Sequence, residues 1–126
     1  MGKEYFDTNL SIIPIRVRLK INGKSKYARM AVDTGASLML IGSDVAEALG
    51  VSIPEGFVQM LTTAGAQIAP MYSIDEVEVC SKRVRNVQVI VHNLPEDSYV
   101  DGLLGLNVLR NFNMNINFDE GILELS

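Results

Sequence analysis

Asp33, Thr34 and Gly35 stand in the run Ala31-Val32-Asp33-Thr34-Gly35-Ala36-Ser37, directly after the apolar residues Met30, Ala31 and Val32. Each residue type has a use at its place. The Asp supplies a carboxylate that can draw a proton from water. The Gly lets backbone approach closely and offers an amide donor that no side chain shields. The Thr hydroxyl can reach the backbone of a second loop. Peptide-bond chemistry of this kind needs another carboxylate facing the first, yet the chain holds the triplet once. The nearest imitations, Asp7-Thr8-Asn9 and Asp101-Gly102-Leu103, each lack part of it. A catalytic loop here therefore requires two chains that share one site on their two-fold axis. By itself the triplet is a weak signal, because the same residues also make plain turns.

Context strengthens it. About seventy residues after Asp33 comes Leu103-Leu104-Gly105-Leu106-Asn107-Val108-Leu109, two apolar residues and a glycine followed by a segment able to form a short helix. The two segments, in this order and at this spacing, resemble the retropepsin-like aspartic proteases, in which the second packs beneath the catalytic loop. The likeness covers nearly the whole chain: a hairpin before the loop, a flap-like hairpin at 57–72, then Leu-Leu-Gly with its helix and a terminal strand. Thr62-Thr63-Ala64-Gly65-Ala66 and Asp101-Gly102-Leu103-Leu104-Gly105 are similar to bacterial single-domain members of that clan.

The resemblance implies an all-β fold, a closed β-barrel of the acid-protease type with one or two short helices and a flap hairpin. It also implies a homodimer, with residues 1–126 as one domain, and the activity of an aspartic endopeptidase acting on a peptide or protein substrate. Asp33 would be the catalytic residue, with Thr34, Gly35, Ala36 and Ser37 supporting its loop. Thr63, Ala64, Gly65 and Ala66 would form the flap over the substrate, the alternative being an ordinary surface hairpin. Leu103 and Leu104 would line the pocket together with Val32, and Asp101 either faces that pocket or, as the residues themselves favour, belongs to a plain Asp-Gly turn. Two unit charges about 4 Å apart repel by about 4 kcal/mol at an effective dielectric of about 20. The two Asp33 carboxylates would thus hold one proton between them and titrate as a unit. No metal or other cofactor is called for.

Two departures stand out against retroviral members, which often place an Asp after Gly-Ala and an Arg after the later glycine. Here Ser37 and Leu106 occupy those positions, both neutral. The loss is matched on the two sides, so the loop must be supported in another way. Ala36 stands where pepsin-like enzymes commonly put a hydroxyl beside the ionised carboxylate, so the expected pH optimum is only mildly acidic.

The elements that must position these residues read mostly as strands. Residues 12–21 alternate apolar and polar around Pro14, Asn22-Gly23 is a strong hairpin signal, and 26–32 form the return strand into Asp33. Residues 38–41 make a short buried strand. Ser43 is a candidate N-cap for a helix through Leu49, with Asp44 and Glu47 in its first turn and Gly50 closing it. Arms at 57–61 and 67–72 turn at Thr63-Ala64-Gly65-Ala66. A third hairpin joins 74–79 to 84–91 across Ser81-Lys82, with Val87, Val89 and Val91 on one face. After a loop over 93–98, a helix is expected over 105–112, a strand over 114–118, a turn at Asp119-Glu120-Gly121 and a last strand over 122–125. Because Ile122-Leu123-Glu124-Leu125 is an apolar terminal strand, its edge is expected to seek a partner chain.

Composition bounds the alternatives. The 126 residues are 48% apolar and 21% charged, as in an ordinary soluble domain. A net charge of -4 gives no electrostatic reason to bind nucleic acid or an anionic membrane. No apolar run is long enough to span a bilayer, the first ten residues show no signal peptide, and Phe6 spoils a myristoylation reading of Met1-Gly2. Arg16, Arg18 and Lys20 alternate with Ile15, Val17, Leu19 and Ile21, which reads as the solvated face of a hairpin. Cys80 is the single cysteine, which excludes an internal disulfide and fits a reducing compartment such as the cytoplasm. Cys80 and His92, the single histidine, have no third orienting group for a dyad and are too few for structural zinc. The competing function is a catalytically silent dimerisation or peptide-binding module on the same fold. The intact triplet argues against it, since a retired site has no reason to keep like charges buried together.

Overall fold

The computed structural model describes residues 2–126. Ten strands and two helices follow one another: β1 Gly2–Tyr5, β2 Pro14–Ile21, β3 Lys24–Val32, β4 Met39–Ile41, α1 Ser43–Leu49, β5 Gly56–Thr62, β6 Gly65–Val79, β7 Lys82–Val91, β8 Gly102–Leu104, α2 Leu106–Leu109, β9 Met114–Asn117 and β10 Ile122–Leu125.

The alternation in β2 does what its period predicts: Ile15, Val17 and Leu19 are buried while Arg16 and Lys20 face solvent. Asn22 and Gly23 both take positive φ, 50° and 80°. That is the pair of left-handed residues a tight hairpin needs to match strand twist. β3 returns antiparallel to β2, and its C-terminal end delivers Val32 to the start of the Asp33 loop. Six strands then close on themselves in the order β2-β3-β8-β4-β7-β6, with β6 pairing back to β2 through Val17↔Val79 and Leu19↔Val77. Closure removes the open edges of the barrel. β5 hangs outside the ring on β6, and β1, β10 and β9 form a separate three-stranded sheet. Val17, Leu19, Met30, Met39, Ile41, Ile74, Val77, Val89, Leu104 and Val108 fill the interior, with Leu123 and Leu125 packed from the smaller sheet. This is the closed all-β barrel with two short helices and a flap-like hairpin that the sequence led us to expect.

Several local expectations need correction. Ser43 does not cap α1. Gly42 is the N-cap, in extended conformation, and the Ser43 hydroxyl instead donates to Asn93 Oδ1 at 2.6 Å, because the β7–β8 loop lies beside it. Asp44 is the acidic residue of the first turn; Gly50 closes the helix with φ 75° as expected. The arms at 67–72 and 74–79 are one strand, β6, which belongs to the flap at one end and the barrel at the other. The turn after it lies at Cys80-Ser81, with φ 49° and 62°. The helix expected over 105–112 is only Leu106–Leu109. Asn111 Nδ2 donates to the carbonyls of Asn107 and Val108 at 3.1 and 2.9 Å, and so takes acceptors that further helical turns would use.

β1 and β8 were not anticipated. Nor is the edge of β10 free: β1 pairs with it on one side and β9 on the other, both antiparallel. The terminal strand finds its partners within the chain, and the exposed edges of that sheet belong to β1 and β9.

Candidate active site

The Asp33 loop is held from below. Asp33 N–H donates to Leu104 O at 3.0 Å, which continues the β3–β8 parallel pairing by one residue. Within the loop, Gly35 N–H donates to Asp33 Oδ1 at 2.9 Å and Ala36 N–H to Asp33 O at 3.2 Å. The carboxylate is thus oriented by an unshielded backbone amide two residues on, the role that glycine serves there. Asp33 and Ala36 are half-buried; Thr34, Gly35 and Ser37 are exposed.

The Leu-Leu-Gly segment meets the loop directly. Leu106 N–H donates to Ala36 O at 2.8 Å and Asn107 N–H to Ser37 O at 3.2 Å. A Cβ built on Gly105 would lie 2.7 Å from Leu38 O and 2.8 Å from Ala36 O. Only glycine lets the two backbones come this close. Asn107 adds a side-chain tie that the motif reading missed: Met39 N–H donates to its Oδ1 at 2.9 Å, and its Nδ2 donates to Gln88 O at 2.8 Å. One amide joins β4, β7 and α2 around the loop. This supplies support where Ser37 and Leu106 cannot form an ion pair, and a neutral hydrogen-bonding residue two places after the glycine was the available signal.

The other candidate residues fall into three groups. Thr63, Ala64, Gly65 and Ala66 lie exposed at the tip of the β5–β6 hairpin, where Thr62 accepts from Ala64 N–H at 3.1 Å and Gly65 has φ 101°. The turn itself is Thr63-Ala64, since Thr62 and Gly65 already pair. Leu103 is half-buried beside Leu38, Leu40 and Met60. Leu104, by contrast, is fully buried in the main core and has no side-chain surface left for a pocket wall. Alternation along β8 turns one leucine inward and the other toward the hairpin. Asp101 is committed elsewhere: its Oδ2 accepts Arg29 N–H at 2.8 Å, its own N–H donates to Arg29 O at 2.7 Å, and its carbonyl accepts Gly42 N–H at 3.0 Å.

Two clefts, of about 630 and 600 Å³, lie near the start of α1 and between β1 and the β2–β3 hairpin; Asp33 lines neither. In the second, Arg16 and Arg29 stack over Tyr27 and Tyr99 at 3.9 and 4.4 Å. Glu4, at its rim, has its carboxyl raised by burial, partly offset by Arg16. Cys80 lies far from being a nucleophile: it is buried and its thiol is pushed up to about 12, first by burial and then by the charge of Glu4.

These features define the class. A family of sequences described as "gag-polyprotein putative aspartyl protease" matches residues 17–111, and the chain belongs to it. The crystal structure of a retropepsin-like aspartic protease from Rickettsia conorii superimposes with a TM-score of 0.72 at 23% identity, covering 98% of this chain and 87% of that one. The fold is the retropepsin-like acid-protease fold. A search of curated proteins returned no significant match. Among the described residues no helix is long and apolar enough to cross a membrane.

Proposed function

We propose that this chain is an aspartic endopeptidase whose active site forms when two copies bring their Asp33 loops together. The observation that carries the reading is the loop itself: Asp33 is half-buried at the end of β3, its Oδ1 is fixed by Gly35 N–H, and Gly105 lets the whole loop seat on α2. Thr34 favours the same assembly. It is exposed, and among the described residues its hydroxyl has no hydrogen-bond partner, so it is free to bond the backbone of the other loop.

In the dimer, the pair of Asp33 carboxylates holds one proton. The ionised member takes a proton from a water between them as that water attacks the scissile carbonyl; the protonated member hydrogen-bonds the carbonyl oxygen. Collapse of the tetrahedral intermediate then passes a proton to the leaving amine. The substrate is an extended peptide paired between the flap and the loop as an added strand. Apolar side chains beside the cleaved bond suit Leu103 and Val32, which offer no charge to a polar partner. Residues 1–126 act as one domain in this reading, and the single free thiol suits a reducing compartment such as the cytoplasm.

Asp33→Asn tests the proposal. The substitution keeps shape and can keep the Gly35 bond, so the fold is expected to persist while hydrolysis of a peptide cleaved by the parent is lost. A statine-type transition-state mimic is expected to bind the parent and not the variant. Retained hydrolysis in the variant would overturn the mechanism. A parent that forms dimers but binds neither substrate nor mimic would instead support the catalytically silent module.

A further inference from the structure

The β5–β6 hairpin leaves the barrel at Met71, where pairing of β6 with β7 begins at Met71↔Ile90. From 56 to 70 its strands pair only with each other. Residues 56–72 include no Asp, Glu, Lys or Arg, so no ion pair can hold the hairpin down. Its inner face, with Val58, Met60 and Ala69, rests on Leu38, Leu40, Ile90 and Leu103, while Phe57, Leu61 and Ile68 point to solvent. One polar tie crosses from the barrel to this part of the hairpin among the described residues. His92 Nε2 lies 2.8 Å from Gln67 Oε1.

His92 is well placed for this. It follows the last residue of β7, and its backbone N–H donates to Ile41 O at 3.1 Å. Its Nδ1 lies 3.0 Å from the carbonyl of Asn93, whose side chain is held by Ser43 at the start of α1. A backbone carbonyl only accepts, so Nδ1 carries a hydrogen and Nε2 is the atom turned to the hairpin. The Gln67 amide can answer Nε2 in either state, with its NH₂ when Nε2 is bare or its oxygen when Nε2 is protonated. Gln67 stands opposite Met60, near the tip. A bond so far from the hinge opposes opening with a longer lever than any contact at the base.

We propose that His92 is a positioning residue that latches the flap, its bond to Gln67 setting the balance between a hairpin closed over Leu38, Leu40 and Leu103 and one open to substrate. The latch stands on the geometry alone; its effect on turnover rests on the protease reading given above.

Hydrogen exchange in the free protein decides the first point. His92→Phe and Gln67→Met keep the bulk and remove the bond. Each is expected to speed exchange of the amides over 57–70 by about fivefold, the effect of one lost hydrogen bond. The double variant should exceed neither single, because both remove the same interaction. Exchange in β3 and β10 and the melting temperature should stay with the parent, and His92→Gln, which can still reach Gln67, should restore most of the protection. Unchanged exchange over 57–70, or effects that add in the double variant, would overturn the latch. On a peptide cleaved by the parent, KM is expected to fall by up to about fivefold in the single variants with kcat changed less than about twofold, because a weaker latch leaves more of the free protein open to substrate. A KM that is unchanged or raised would overturn the role in turnover. If the parent cleaves no peptide, the protease reading fails and the exchange result still decides the latch.

Discussion

Gly105→Ala puts one methyl group between α2 and the Asp33 loop, where two backbones meet without side chains between them. The added Cβ would sit 2.7 Å from Leu38 O, 2.8 Å from Ala36 O and 2.8 Å from Leu38 C, where ordinary contact begins at 3.4 Å. The backbone of 36–38 must therefore withdraw by about 0.7 Å, the difference between 3.4 and 2.7 Å. No flexible side chain can absorb the shift, since the atoms met are backbone. Moving them stretches the Leu106 N–H to Ala36 O bond, now 2.8 Å, and drags the loop that carries Asp33. Strain of this kind typically costs about 1–3 kcal/mol. At this chain length each kcal/mol lowers Tm by roughly 4 °C, so a fall of about 4–12 °C is expected. A displacement approaching 1 Å at a reacting group costs roughly a hundredfold in rate. Urea unfolding and peptide hydrolysis measure the two effects separately. Gly56→Ala is the control: its Cβ would meet only Met71 Cε at 3.7 Å, an ordinary contact, and the variant should be neutral or slightly stabilised. If Gly105→Ala unfolded within about 0.5 kcal/mol of the parent, the close approach between α2 and the loop would not be as described.

Three further outcomes are expected. Asn107→Leu removes the acceptor for Met39 N–H and the donor to Gln88 O, and should cost about 2–4 kcal/mol in urea unfolding; a loss below about 1 kcal/mol would show that the tie contributes little. Thr34→Ala should leave the monomer's stability unchanged, because the hydroxyl has no partner within the described chain, yet activity should fall more steeply on dilution than in the parent; identical dilution curves would remove its role across the two-fold axis. Cys80 holds its proton more tightly in the folded state, with a pKa of about 12 against an ordinary 9.0, so stability is fully present below pH 9.0 and declines as pH rises toward about 12. The stability gap between the parent and Cys80→Ala should narrow over that window, and the thiol should label at neutral pH only on unfolding. A gap that stays constant would contradict the shift.

What the sequence by itself determined was local in its causes. Alternation placed Ile15, Val17 and Leu19 inward because a strand repeats every two residues, whatever it packs against. Asn22-Gly23 and Gly50 marked a turn and a helix end because few residues accept positive φ. The Asp-Thr-Gly loop and the Leu-Leu-Gly segment were legible as a pair through their resemblance to the retropepsin-like aspartic proteases, and the structure joins them by the bonds from Leu106 and Asn107 to Ala36 and Ser37. The tertiary structure alone decided which distant segments meet. β1 could not be read, because Gly2–Tyr5 has no apolar alternation and becomes a strand only beside β10. β8 is three residues long, and its pairing with β3 and β4 is what makes it a strand. Leu103 and Leu104 look alike in sequence, yet the strand's pleat sends one to the hairpin and the other into the core. Asn107 and His92 gave no sign of their partners, since Met39, Gln88 and Gln67 lie far along the chain. Such contacts depend on barrel closure through β2 and β6, a pairing between segments some sixty residues apart that no local preference encodes.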